Sequence, residues 1–193
     1  MGFFSFFYPF SLILILFLYS SHFISANNNN NHVDLIAQTC KNLSRTDPNV
    51  SYRFCRTSLQ ADPHSRRVRN LRDLGFISLR LLRHNVTETR FHIKNLLKTT
   101  KKKKIDPFIR EGLDDCLEVY SDAIPTLRDA IKDYKAKLYA DCNVKVSSVL
   151  DASATCEDGF KEKDSVVSPL TKRNSNAFRL SAIALFIINL LNK

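Results

Sequence analysis

Four of the five cysteines, Cys40, Cys55, Cys116 and Cys156, fall in two groups behind a long apolar start. That arrangement constrains the fold more than any other feature of the chain. Residues 3–19 are almost wholly apolar, and no Lys, Arg, Asp or Glu precedes Asp34. Small residues follow at Ser20, Ser21, Ser25 and Ala26, and then the polar run Asn27–Asn31. An apolar core, small residues and a polar start, in that order, predict a secretory signal over 1–26 with cleavage near Ala26. A flexible Asn-rich segment over 27–32 and one folded domain over 33–193 follow from it. The alternative is an uncleaved anchor, but the apolar stretch is at the short end of the roughly 20 residues a span requires.

A secreted chain folds where thiols oxidise, so its cysteines are expected to pair, and five leave one over. Cys40 and Cys55 flank Asp47-Pro48-Asn49, a turn signal between two short apolar-periodic segments. Bridging them would close a helical hairpin, worth about 3 kcal/mol on the loop-entropy account. Bridging Cys116 to Cys156 would tie two long helices together, worth about 4 kcal/mol on the same account. Sequence alone does not fix this connectivity. Cys142 is then the free thiol, either a small buried hydrophobe or an intermolecular handle. Three N-x-Ser/Thr sequons, at Asn42, Asn49 and Asn85, are candidate glycan acceptors. Asn42 and Asn49 lie beside the hairpin bridge, where a glycan would be crowded, which favours Asn85.

The body reads as all-α. Glycines after the leader are only Gly75, Gly112 and Gly159, and no turn signal sits between alternating apolar runs. Apolar residues recur at steps of three and four from Ile109 to Tyr134, and again from Val146 to Phe160. Both cysteines of the second proposed bridge lie on those apolar faces. An earlier helix runs from Leu71, with a break expected at Asn85-Val86-Thr87 before Ile93, Leu96 and Leu97. Pro63 and Pro107 suit helix starts. Pro125 is expected to kink its helix, because it lacks an N–H and its ring opposes the Ser121 carbonyl. Val166–Asn174 reads as a loop, and Ala177–Leu191 as a final core helix rather than a lipid-anchor signal or membrane tail. Short links between long helices imply an antiparallel bundle over 63–193 after a hairpin over 33–62.

The net charge of +10 is concentrated. Between Arg66 and Lys104 there are thirteen Lys or Arg against two acids, Asp73 and Glu88, and the stretch ends in Lys101, Lys102, Lys103 and Lys104. Such a block suits an acidic polymer or an acidic protein surface. Nucleic acid is not expected, since the chain carries a secretory start, no zinc-finger or RNA-binding signature and no Trp. No phosphate loop, HExxH, GxSxG or EF-hand pattern occurs, so neither catalysis nor a metal or cofactor is expected. His84 and His92, eight apart, are too far separated for an i, i+4 metal pair. With an unperturbed pKa of about 6.5, both should charge in mildly acidic surroundings.

The residues Thr39-Cys40, Tyr52-Arg53-Phe54-Cys55, Leu113-Asp114-Asp115-Cys116-Leu117-Glu118-Val119-Tyr120 and Thr155-Cys156-Glu157-Asp158-Gly159-Phe160 resemble those of the plant invertase and pectin methylesterase inhibitors. The likeness spans about Val33 to Leu191. Its wording is most similar to the invertase inhibitors that include pollen allergens, as in Asp47-Pro48-Asn49-Val50-Ser51-Tyr52 and in Val167-Ser168-Pro169-Leu170-Thr171-Lys172. The resemblance implies an antiparallel four-helix up-and-down bundle with an N-terminal helical hairpin, bridges Cys40–Cys55 and Cys116–Cys156, and a monomer outside the membrane. It implies a secreted, apoplastic or wall protein that covers the active-site cleft of an invertase or a pectin methylesterase noncovalently. Invertase-directed members carry Pro-Lys-Phe after the long central helix, and that tripeptide enters the sugar site. The aligned residues here are Ala136-Lys137-Leu138, followed by Tyr139. Lys135, Lys137, Leu138 and Tyr139 are therefore the expected target contacts. Against a pectin methylesterase, the faces of the bundle would cover the groove. A second reading is a wall protein without inhibitory activity that binds de-esterified pectin through Lys101–Lys104 and the basic segment before them.

Overall fold

The computed structural model describes residues 34–100, 106–164 and 166–193. The expected leader, the Asn-rich segment and Lys101–Lys104 lie outside the described residues. Six α-helices and one short 3₁₀ helix account for most of the described chain, which contains no strand. They are α1 (Leu35–Thr46), α2 (Tyr52–Gln60), the 3₁₀ turn Pro63–Arg67, α3 (Leu71–Thr100), α4 (Pro107–Lys135), α5 (Tyr139–Lys161) and α6 (Thr171–Leu191).

Most helix starts follow from local chemistry. The first amides of a helix lack intrahelical partners, and a short polar side chain can accept from them. Asp34 accepts from the Ala37 N–H at 3.0 Å, Ser51 from Phe54 at 3.2 Å, and Asp106 from Phe108 at 2.9 Å. Asn70 accepts from the Asp73 N–H at 2.8 Å and donates back to the Asp73 carboxylate at 2.9 Å. Pro63 and Pro107 stand first in their helices, where the missing N–H costs nothing.

Helices α3 to α6 form a closed ring in which each packs on two others. Close approaches between opposite ends show that neighbours run antiparallel. Gly75 near the start of α3 meets Tyr134 at the end of α4 and Ile187 at the end of α6, and Gly112 of α4 meets Phe160 of α5. The central layer includes Leu74, Leu82, Ile93, Leu127, Val146 and Ile183, all fully buried. The α1–α2 hairpin docks on α3 and α6, with the Arg179 guanidinium 4.0 Å above the Phe54 ring. Cys40 is bridged to Cys55, with Cα atoms 5.6 Å apart, and Cys116 to Cys156, with Cα atoms 5.0 Å apart. Cys142 is free and buried.

Two local expectations are corrected. Helix α3 runs unbroken through Asn85-Val86-Thr87, because Val86 faces the core and holds that turn in register. The loop expected over 166–174 ends earlier, as α6 begins at Thr171. There Glu157 of α5 accepts from Thr171 Oγ1 and Asn174 Nδ2, both at 2.7 Å, and Tyr120 donates to Asn174 at 2.8 Å. Helix α4 continues past Pro125 to Lys135. Helix α6 is long and apolar enough to cross a membrane, yet Ala177, Ile183, Ala184, Ile187 and Ile188 are buried inside the bundle.

Candidate functional site

Of the residues expected to contact a target, Lys135, Lys137, Leu138 and Tyr139 come together at the α4–α5 turn, on one end of the bundle. Tyr134, the last buried residue of α4, is followed by the exposed run Lys135–Leu138 and then half-buried Tyr139. The backbone stops α4 with two nested hydrogen bonds. Leu138 N–H donates to Asp133 C=O at 2.9 Å, and Lys137 N–H to Tyr134 C=O at 3.1 Å. This is the Schellman stop, which requires a left-handed residue at the position normally held by glycine. Lysine holds it here, with φ 64° at Lys137, the only non-glycine positive φ among the described residues. A side chain in that conformation costs about 1 kcal/mol or more. The next residue, Leu138, occupies the N-cap of α5 and provides no side-chain cap. Both residues of the turn are thus poor choices for the backbone that holds them.

The surroundings secure it. Tyr134 donates its hydroxyl to Arg72 C=O at 2.8 Å, and Arg72 returns a bond from Nη2 to Lys135 C=O at 3.1 Å. Those two bonds join the start of α3 to the end of α4. The Tyr134 hydroxyl can reach Arg72 because Gly75 leaves room, as a Cβ there would sit 2.2 Å from the oxygen. Tyr139 packs edge-on against Tyr134 with centroids 5.5 Å apart. Lys135 lies 5.3 Å over the Phe76 ring. Lys145 of α5 pairs with Asp133 of α4, and that hydrogen bond holds the lysine above its usual pKa. Burial, then Tyr139 and Cys142, push the Tyr134 hydroxyl up, so it stays protonated and remains a donor. Arg72, Asp73, Phe76, Tyr134 and Lys135 line a shallow depression of about 220 Å³ beside the turn.

The result is a braced turn that exposes the Lys137 cation beside Leu138, which is 51% exposed. The resemblance had pointed to Lys135, Lys137, Leu138 and Tyr139, while the brace of Arg72, Phe76, Gly75, Asp133 and Lys145 was missed. A lone glycine inside the helical pattern of α3 was the available signal for Gly75.

The remaining expected residues lie elsewhere. Burial, then the Asp133 charge, push the Cys142 thiol up to about 12, so it is an inert filler of the core rather than a handle. Asn42 and Asn49 are exposed, on α1 and in the α1–α2 turn. Asn85 is half-buried within α3, and its Oδ1 is enclosed without a partner. No group of three His, Cys, Asp or Glu is placed to hold a metal ion among the described residues.

The sequence model described as "Plant invertase/pectin methylesterase inhibitor" matches residues 34–187, the whole of the hairpin and nearly all of the bundle. The chain belongs to the plant invertase/pectin methylesterase inhibitor family. A Platanus acerifolia protein named "Putative invertase inhibitor" is 44% identical over 158 residues, covering 82% of this chain and 86% of that protein. "Pectinesterase inhibitor 12" of Arabidopsis thaliana is 32% identical over 81% of this chain and 87% of its own length. The crystal structure of a mutant pectin methylesterase inhibitor from Arabidopsis superposes with a TM-score of 0.62 at 26% identity, over 72% of this chain and 89% of that one. The family consists of inhibitors of enzymes, not of enzymes.

Proposed function

We propose that this member is a secreted inhibitor that noncovalently occludes the active-site cleft of a plant invertase or a pectin methylesterase, with the α4–α5 turn as its leading edge. The observation that carries this is the braced, exposed Lys137 at φ 64°. Strain of that kind persists only where surrounding structure enforces it, and it concentrates where side chains meet ligands. Lys137 pairs with a carboxylate of the cleft, Leu138 fills its apolar wall, and Lys135 and Tyr139 form the rim. A standard interface of roughly 1,600 Å² in total accommodates the turn together with the neighbouring helix ends. Preorganisation by the Tyr134–Arg72–Lys135 bonds reduces the ordering cost of association. The inhibitor acts as a monomer, one per enzyme. Exposed Asn42 and Asn49 are the better glycan acceptors by geometry.

Inhibition assays against purified invertases and pectin methylesterases test the reading. Invertase is the first arm, since the 44%-identical relative is named for it. Inhibition that is lost on Lys137→Ala with Leu138→Ala supports the turn mode. Inhibition of a pectin methylesterase that survives those changes assigns the contact to the helix faces. No inhibition of either class at micromolar concentration overturns the proposal.

A further inference from the structure

Helix α3 has a second exposed surface that the turn does not use. Arg80, Arg83, His84, Phe91, Lys94 and Lys98 recur at steps of three, four and seven, so they share one face of a continuous helix. At 1.5 Å per residue this stripe is about 27 Å long. Arg83, Lys94 and Lys98 form no ion pair among the described residues. Glu88, to one side, is the only carboxylate of α3 beyond Asp73. In the middle stands Phe91, 60% exposed, the most exposed aromatic side chain among the described residues.

One end of the stripe opens into a groove of about 560 Å³ between the 3₁₀ turn and α3, which Arg80, Arg83 and His84 line together with Pro63 and Thr87. The one acid in the groove, Asp62, is buried and already engaged. His64 Nδ1 lies 2.9 Å from one carboxylate oxygen, and Arg80 lies 3.7 Å from the other. Burial works against its ionisation, but the hydrogen bonds from His64 and the charge of Arg80 hold its pKa below the usual carboxylate value. In sequence, Lys98 is soon followed by Lys101–Lys104, which lie outside the described residues.

We infer that this face of α3 binds a linear acidic polysaccharide of the polyuronate class. A partner protein surface is a poorer fit, since a stable protein interface needs about 800 Å² per partner around an apolar centre, and here one phenylalanine stands alone. A chain one sugar wide, with a carboxylate on every ring, matches a row of cations one helix wide. The exposed aromatic ring offers a sugar ring a flat apolar face. The site lies beyond the start of α3 that braces the α4–α5 turn, and it does not depend on the inhibitory reading.

The test uses the mature chain and polygalacturonate, with fully methyl-esterified polygalacturonate and polyglutamate as controls. Binding should occur to the free acid, not to the ester, and should weaken as salt rises through the physiological range. Arg83→Gln with Lys94→Gln and Lys98→Gln should lower affinity by about tenfold or more, with the melting temperature and enzyme inhibition unchanged. Phe91→Ala should lower affinity for polygalacturonate by about threefold and leave affinity for polyglutamate unchanged. Binding that is unaffected by the triple substitution but abolished by Lys101–Lys104→Gln would overturn the assignment. So would equal binding of the ester, or a Phe91→Ala variant indistinguishable from the parent on both polymers.

Discussion

The molecule contains two disulfide-bridged helical hairpins whose turns follow opposite rules. In the α1–α2 turn every residue suits its position. Asp47 accepts from the Asn49 N–H at 2.9 Å and from its side-chain amide at 3.0 Å, and Ser51 caps α2. In the α4–α5 turn a lysine stands where glycine belongs and a leucine stands at the cap. The first turn holds itself. The second is held from outside, by Tyr134, Arg72, Asp133 and Lys145 and by the Cys116–Cys156 bridge at the far end of the same helices. Natural sequences are locally consistent except where another demand overrides stability. The contrast supports the proposal that the α4–α5 turn is kept for contact.

Removing the bridges weighs most heavily on this comparison. Cys116→Ala with Cys156→Ala should cost about 4 kcal/mol in urea unfolding, and Cys40→Ala with Cys55→Ala about 3 kcal/mol, because the first closes the longer loop. Reversal of that order would show that the hairpin depends on its bridge more than the bundle does. Next, Gly75→Ala forces a methyl group against the Tyr134 hydroxyl. It should destabilise the fold by about 1–3 kcal/mol and weaken inhibition by releasing the turn.

Smaller changes should split by sign. Ser51→Ala in the well-matched turn should lose about 1 kcal/mol. Lys137→Gly in the mismatched turn should gain about 1 kcal/mol. Two losses of similar size would remove the distinction between the turns. The smallest expected effect comes from His92, on α3. Burial, and then Arg173, depress its pKa. The unfolded chain therefore binds this proton more readily, and stability should fall slightly as pH drops through 6.5 toward the folded value. His92→Gln should flatten that slope in a melting series from pH 5 to 7. An unchanged slope would assign it to other groups.

Much of this was legible in the sequence because it is local or periodic. Spacing and chain order suggested the pairs that bridge, and three-and-four periodicity located α4 and α5 on their correct faces. Errors arose where tertiary contact overrode a local signal. Asn85-Val86-Thr87 reads as a break, yet Val86 is fully buried and the helix passes through. Thr171–Asn174 reads as loop, yet Glu157 of another helix anchors it as a first turn. At the site, likeness to known inhibitors pointed to Lys137 and Leu138. The left-handed backbone and the Arg72 brace had no counterpart in the local sequence, since 62 residues separate Tyr134 from the carbonyl its hydroxyl reaches.

The decisive measurement is the inhibition constant of Lys137→Gly against whichever enzyme the parent protein inhibits, taken beside its unfolding free energy. We expect a more stable protein that inhibits about tenfold less well or worse. A variant that gains stability and inhibits as strongly as the parent would contradict the claim that this turn is held in an unfavourable conformation for the sake of its target.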